Sequence, residues 1–335
     1  MGSTRPTMSG CMETGKPLIS ILMAVYEPRM DWLKEQLDSL NAQTYPNLRL
    51  YVRDDCSPTV PYGEIQALVK QCITRFPYQI ERNEQNLGSN LTFEQLTREA
   101  EGEYFAYCDQ DDVWLPEKLT VLQGELESSG SQLVCSDMYI IDANGKRIAD
   151  SITKIRRHHI FRSGEGLTDT LWYSNFASGC ALLVQAETAK MAIPFNPFMY
   201  YDHYITLFSA NRGKVISILE PLLRHREHGS NQSSSMQGVV DKKSYLAKRV
   251  DRAAQATEWL VDHFPCREPL CGILRDGLAW TSARQEYLHG DRGQRSTIWK
   301  YRKFSPMASL FEIAMPWMPL WMFRVFIWAS RNNYI

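Results

Sequence analysis

The sequence predicts an α/β fold: a mostly parallel central sheet flanked by helices, followed by a helical C-terminal extension. Two observations predict it. Short apolar runs alternate with stretches of helical spacing from residue 18 to 115, and acidic clusters stand directly after two of those runs. The 335 residues suffice for one large domain or two modest ones. With 37 Lys and Arg against 38 Asp and Glu, the chain lacks the net basic footprint of a non-specific nucleic-acid binder. A make-up that is 44% hydrophobic and 22% charged excludes wholesale disorder and a polytopic membrane protein. No internal repeat suggests a solenoid or propeller.

Each element follows from local pattern. Residues 18–25 are an apolar run and read as a buried strand. Residues 30–42 carry Leu33, Leu37 and Leu40 at helical spacing, and Pro46-Asn47 ends that segment. Residues 48–52 form a second strand that runs into Arg53-Asp54-Asp55. Residues 61–75 read as a helix with Pro61 in its first turn, 78–81 as a third strand, and 90–100 as a helix stopped by Gly102. Residues 104–108 are a fourth strand, followed at once by Asp109-Gln110-Asp111-Asp112.

The second part is less regular. Residues 132–141 read as β, Asn144-Gly145 as a hairpin turn before 146–148, and 179–185 as another strand. Residues 201–210 read as a helix and 214–220 as a strand. The Ser-rich segment 229–238 reads as a flexible loop, and the chain turns helical after Asp241. The expected organisation is a loose tail at 1–16, an α/β domain at 17–235 whose halves meet near residue 115, and a helical region at 236–335. Several of the eight cysteines, such as Cys108 and Cys135, sit in apolar runs, and no CxxC pair exists. Residues 1–15 have no apolar signal core. Reduced thiols and a cytosolic location are expected.

In open α/β sheets ligands bind outside the carboxyl ends of the strands, where Asp55 and the 109–112 cluster fall. Three carboxylates within four residues repel one another and call for a cation. Hard oxygen donors suit Mg²⁺ or Mn²⁺ held jointly with a substrate's phosphates. The bland alternative is a solvated turn capping the helix that begins near Pro116.

The residues also resemble a known family. Ile19-Ser20-Ile21-Leu22-Met23-Ala24-Val25-Tyr26, Arg53-Asp54-Asp55-Cys56-Ser57, Asn86-Leu87-Gly88 and the run from Phe105 through Asp109-Gln110-Asp111-Asp112 to Trp114 look like glycosyltransferase family 2. Cys135-Ser136-Asp137-Met138, Tyr201-Asp202-His203-Tyr204 and Arg226-Glu227-His228-Gly229-Ser230-Asn231 resemble its bacterial rhamnosyltransferase-like branch. The resemblance covers about residues 17–235. It implies a GT-A fold, metal-dependent and inverting transfer from a nucleotide sugar, with dTDP-rhamnose favoured, and a lipid-linked bacterial surface glycan as acceptor.

The resemblance also implies site residues. Asp202 would be the catalytic base. Tyr26, Asp55, Asn86, Asn90 and Asp109 would hold the nucleotide, and Asp109, Asp111 and His228 the Mg²⁺ or Mn²⁺. Asp112 would orient its neighbours, and Asn231 would help close the loop. Tyr201 and His203 depart from the residues common in that branch. The basic loop Arg156-Arg157-His158-His159 reads as solvated.

The C-terminus is aromatic: Trp299, Trp317, Trp321 and Trp328 are four of the nine tryptophans. Arg295, Lys300, Arg302 and Lys303 precede the apolar segment without an acid among them. The charge-free stretch 313–323 is short of the ~20 residues that span a bilayer. Arg324 and Arg331 share a helix face. This pattern predicts a helix lying in the membrane interface, hence a cytoplasmic protein held peripherally at the inner face of the cell membrane. The alternatives are a helix that caps the protein's own core, or a homodimer contact.

Overall fold

The computed structural model describes residues 15–156, 159–228, 236 and 238–331. Arg157, His158 and Asn231 lie outside the described residues, as does most of the N-terminal tail.

The first half alternates as the pattern predicts: β1 (Ile19–Val25), α1 (Met30–Asn41), β2 (Leu48–Asp54), α2 (Tyr62–Cys72), β3 (Tyr78–Arg82), α3 (Ser89–Glu99) and β4 (Tyr104–Cys108). These strands pair in parallel, with Val25 opposite Asp54 and Met23 opposite Cys108. That register brings Tyr26, Asp55 and Asp109 out at one carboxyl edge. Side chains alternate along β1, so Ile21 and Met23 pack under α1 and α2 while Leu22 packs with Phe93 and Leu96 of α3.

The second half is β5 (Val113–Trp114), α4 (Lys118–Ser129), β6 (Leu133–Ile141), β7 (Arg147–Ala149), α5 (Ile152–Ile155), α6 (Thr168–Leu171), β8 (Leu182–Gln185), α7 (Ala186–Met191), α8 (Tyr201–Arg212) and β9 (Val215–Arg226). The sheet runs β3-β2-β1-β4-β8-β6-β9-β5, with β7 beside β6. Strand β8 lies antiparallel to β4 and β6, and β9 is parallel to β6 and antiparallel to β5. The parallel arrangement therefore holds in the first half, and the second half is mixed.

Two elements differ from expectation. Strand β9 continues past residue 220 to Arg226. Pro221 lacks an N–H and shifts the register there, but β5 and the end of β6 supply new partners, and the strand goes on. Residues 179–181 form a 3₁₀ turn rather than the start of β8. The Gly179 N–H is committed to Asp202 instead of a ladder.

The chain ends in helices: α9 (Lys242–Tyr245), a π-helical turn at Leu246–Asp251, α10 (Arg252–His263), α11 (Leu270–His289), α12 (Arg295–Lys300), α13 (Pro306–Ala314) and α14 (Leu320–Arg331). Leu260 of α10 and Leu274 and Trp280 of α11 join the core on the α3 face of the sheet. Among the described residues no helix is long and apolar enough to cross a membrane. One cysteine expectation is corrected: Cys266 and Cys271 are joined as a disulfide, Cα to Cα 5.5 Å. The short turn through Pro269 brings them together, which spacing alone does not reveal. Cys72, Cys108, Cys135 and Cys180 are buried free thiols.

Candidate active site

The acidic loop leaves β4 and is pinned at several points. Gln110 grips the β1 turn with both ends of its amide: Tyr26 N–H donates to Oε1 at 2.8 Å and Nε2 donates to the Tyr26 carbonyl at 3.0 Å. Asp112 is fully buried and turned inward. Its Oδ1 meets His225 Nδ1 at 2.9 Å and accepts from Arg226 N–H at 3.1 Å. Burial opposes ionisation of Asp112, but the His225 charge outweighs it and holds the carboxyl below its usual range. Burial likewise opposes the charge on His225, but Asp112 wins and its pKa is pushed up to about 9. The pair is a fixed internal ion pair.

Asp111 faces the crevice and meets His228 Nε2 at 2.7 Å through Oδ2. His228 packs against Trp32, ring centroids 4.9 Å apart and the planes tilted by 44°. Arg226 runs beneath, donating from Nε to the Asp111 carbonyl at 2.9 Å and pairing with Glu35 of α1 at 2.5 Å. Asp109 is half-buried. Burial first, then Asp112 and Asp111, push its pKa up to about 8. Among the described residues no hydrogen-bond donor reaches its carboxylate.

Asp202 lies in the first turn of α8. Gly179 N–H donates to its Oδ2 at 3.0 Å and His203 N–H to its Oδ1 at 2.6 Å. Burial raises its pKa to about 6, against the pull of those two N–H groups and of Arg156. Tyr201, the neighbour of Asp202, lies with its ring 5.2 Å from that of Tyr107 in β4, which sets the start of α8 beside the strand that leads into Asp109. The same ring lies 4.1 Å from Phe93. His203 donates from Nε2 to the Leu171 carbonyl at 2.6 Å, and burial lowers its pKa to about 4, so it is neutral.

The other expected nucleotide residues take distinct positions. Tyr26 is exposed beside the crevice and Asn86 is exposed in the loop before α3. Asp55 is buried and holds that loop, accepting from Leu87 N–H, Gly88 N–H and Asn83 Nδ2, each at 2.8 Å. Gly88 sits at φ +80°, a conformation that favours glycine. Asn90 accepts from Tyr201 N–H at 2.9 Å and donates to the Met199 carbonyl. Gln110, Gly179, His225 and Arg226 were not singled out as site residues from sequence. Gln110 carried a signal in its place between two acids, and Arg226 in its place at the head of the 226–231 segment.

The donor chemistry fits a hard divalent cation. A half-buried carboxylate without a donor, two further carboxylates and an imidazole gather at one strand end. Asp109, Asp111 and His228 are partly exposed at that strand end, whereas Asp112 is buried. Asp112, Cys180 and His225 also cluster, with ligand atoms within 4.8 Å of one another. In that buried group His225 Nδ1 pairs with Asp112 Oδ1, Asp112 Oδ2 has no hydrogen-bond partner among the described residues, and Lys118 Nζ donates to the Cys180 carbonyl.

A sheet whose carboxyl edge carries an acidic loop, with helices on both faces and a helical C-terminal region, is the GT-A fold of glycosyltransferases. Residues 20–186 match the family model described as Glycosyl transferase family 2, and over that stretch the chain belongs to this family.

Relatives and solved structures agree. An uncharacterized glycosyltransferase of Methanocaldococcus jannaschii is 31% identical over 134 residues, 40% of this chain and 46% of the relative. One of Nostoc is 27% identical over 221 residues, 65% of this chain and 67% of the relative. TarS of S. aureus, solved with UDP-GlcNAc, superposes with TM-score 0.53 at 17% identity, covering 86% of this chain and 90% of that one. The mannosyltransferase PcManGT of Pyrobaculum calidifontis, solved with GDP-Man and Mn²⁺, gives TM-score 0.55 at 15% identity, covering 96% and 82%. At such identities the two structures speak for the fold.

Proposed function

We propose that this chain is an inverting, metal-dependent glycosyltransferase that moves a sugar from a nucleotide diphosphate onto a hydroxyl of a glycan acceptor. The observation that carries the reading is Asp202: a half-buried carboxylate oriented by two backbone N–H groups, on a helix whose first residue packs against β4, the strand that leads into Asp109 and Asp111.

In the reaction the acceptor oxygen attacks the anomeric carbon, and the bond from that carbon to the nucleotide diphosphate breaks on the opposite face. Asp202 takes the hydroxyl proton as the new C–O bond forms. Asp109, Asp111 and His228 would hold Mg²⁺ or Mn²⁺, which supplies charge neutralisation to the departing diphosphate. The loop 86–90, held by Asp55, and Tyr26 would border the nucleotide. L-Rhamnose from dTDP-rhamnose is the favoured donor, on the resemblance of the 135–138, 201–204 and 226–231 segments. UDP-galactose and UDP-N-acetylglucosamine are the competing donors. The acceptor in this reading is lipid-linked and met at the inner face of the cell membrane.

The test is nucleotide diphosphate release from a panel of nucleotide sugars, with Mn²⁺ and with EDTA. Turnover of one donor, abolished by EDTA and by Asp202→Asn, supports the reading. Donor binding without turnover for the whole panel would make the chain a silent nucleotide-sugar-binding module.

A further inference from the structure

The charge of this chain is unevenly distributed. Residues 292–331 contain seven of its 37 Arg and Lys residues and a single acid, Glu312. Glu312 is fully buried, paired through both oxygens with Arg284 at 2.6 Å and accepting from Tyr245 Oη at 2.8 Å. The surface of this segment is therefore basic, on a chain whose net charge is −1.

The same segment exposes apolar side chains on the outside of its helices. Helices α13 and α14 pack on each other through Phe311, Phe323 and Phe326, with Tyr245 of α9 against the same cluster. Phe323 and Ile327 form the buried stripe of α14. The opposite stripe, Trp321, Val325 and Trp328, is 57–66% exposed. In α13 Met307 and Leu310 are exposed likewise, and Trp317 in the connecting turn is 66% exposed. Arg324 and Arg331 lie on one flank of α14, and Arg331 is tied to the Met236 and Val239 carbonyls.

The inner stripe already makes the core contact, so a core cap does not account for the outer one. A second copy on this face would bring two basic surfaces together. Tryptophans beside Lys and Arg match the headgroup level of a bilayer that carries negative lipid. We infer that the outward stripes of α13 and α14, with the basic residues around them, dock this protein onto an anionic lipid bilayer. The inference rests on the transferase reading only for its purpose, which is to bring the crevice to a lipid-linked acceptor.

The experiment is flotation of the full chain with phosphatidylcholine vesicles, plain or with about one third phosphatidylglycerol. The expected result is co-flotation with the anionic vesicles, reduced by about tenfold or more in Trp317→Ser/Trp321→Ser and in Lys300→Glu/Arg302→Glu. These positions are exposed, so both variants should melt with the unaltered chain. No flotation, or flotation indifferent to vesicle charge and to the charge reversal, overturns the inference. So does a dimer in solution that Trp317→Ser/Trp321→Ser dissociates while no protein floats. Donor turnover is measured separately without vesicles. Its loss in every protein with flotation intact would sink the transferase reading and leave the docking surface standing.

Discussion

Asn90 holds Tyr201. Its Oδ1 accepts from the Tyr201 N–H at 2.9 Å, and its Nδ2 donates to the Met199 carbonyl two residues earlier. The second residue of α3 thus fixes the start of α8, one residue before Asp202. At the other end of the same loop, Asp55 grips Leu87 and Gly88. The loop beside the proposed nucleotide site and the proposed base are mechanically joined.

Asn90→Ala should therefore lower kcat/KM for the donor by about tenfold to a hundredfold, because small misplacements of a reacting group are costly and the loop that borders the nucleotide shifts with it. Asn90→Asp keeps the acceptor and should recover part of the loss. Steady-state donor turnover measures both.

Asp202 predicts a pH limb. Its pKa is raised to about 6 by burial, and a base must be ionised. Hence kcat/KM should rise with pH through about 6 and level off above it. Asp202→Asn should lower the rate by about a hundredfold or more and abolish the limb. For stability the sign is opposite. A carboxyl whose pKa is raised by folding favours the native state at low pH and loses that contribution as pH rises through the folded value. Inactivity of the Asn variant at pH 8 should thus not trace to lost stability, which thermal melting checks.

Gly179 has no room for a side chain. A Cβ there would meet Tyr201 Oη at 2.0 Å and Cζ at 2.6 Å. Gly179→Ala should destabilise by about 1–3 kcal/mol in urea unfolding, the usual range for overpacking, and should lower turnover by displacing the N–H that orients Asp202.

Asp112 and Asp111 should separate cleanly. Asp112→Ala removes the charge that keeps His225 protonated against its burial, so the buried imidazole must give up its proton or stay unpaired, and removing one partner of a buried pair costs about 3–5 kcal/mol. The folded-state pKa of His225 is raised to about 9, so its share of that stability is full at low pH and fades as pH rises through 9. Asp111→Ala should melt near the unaltered chain, yet lose the rise in Tm that Mn²⁺ with a nucleotide diphosphate gives, because a ligand stabilises only the state that binds it.

Much of the fold was legible because its first half obeys local rules. Apolar runs of strand length alternate with helical spacing, so β1 to β4 and α1 to α3 follow from pattern. The acidic cluster after β4 was visible as a site because like charges do not gather without a counter-charge. The mixed half was less legible. The extension of β9 past Pro221, the 3₁₀ turn at Gly179 and the Cys266–Cys271 bond all depend on partners distant in the chain or on a turn's path.

The sequence by itself determined which strands end in carboxylates and that the C-terminus is both basic and aromatic, since composition and periodicity are local. Tertiary structure alone decided what surrounds each carboxylate. Asp112 looks like its neighbours in sequence, but β9 brings His225 and Arg226 against it and removes it from the crevice. Asp202 is an ordinary helix-start aspartate until the fold partly buries it and sets the Gly179 N–H on one of its oxygens. The reason is that ionisation and orientation are fixed by what lies within a few ångströms in space, and chain order does not record that.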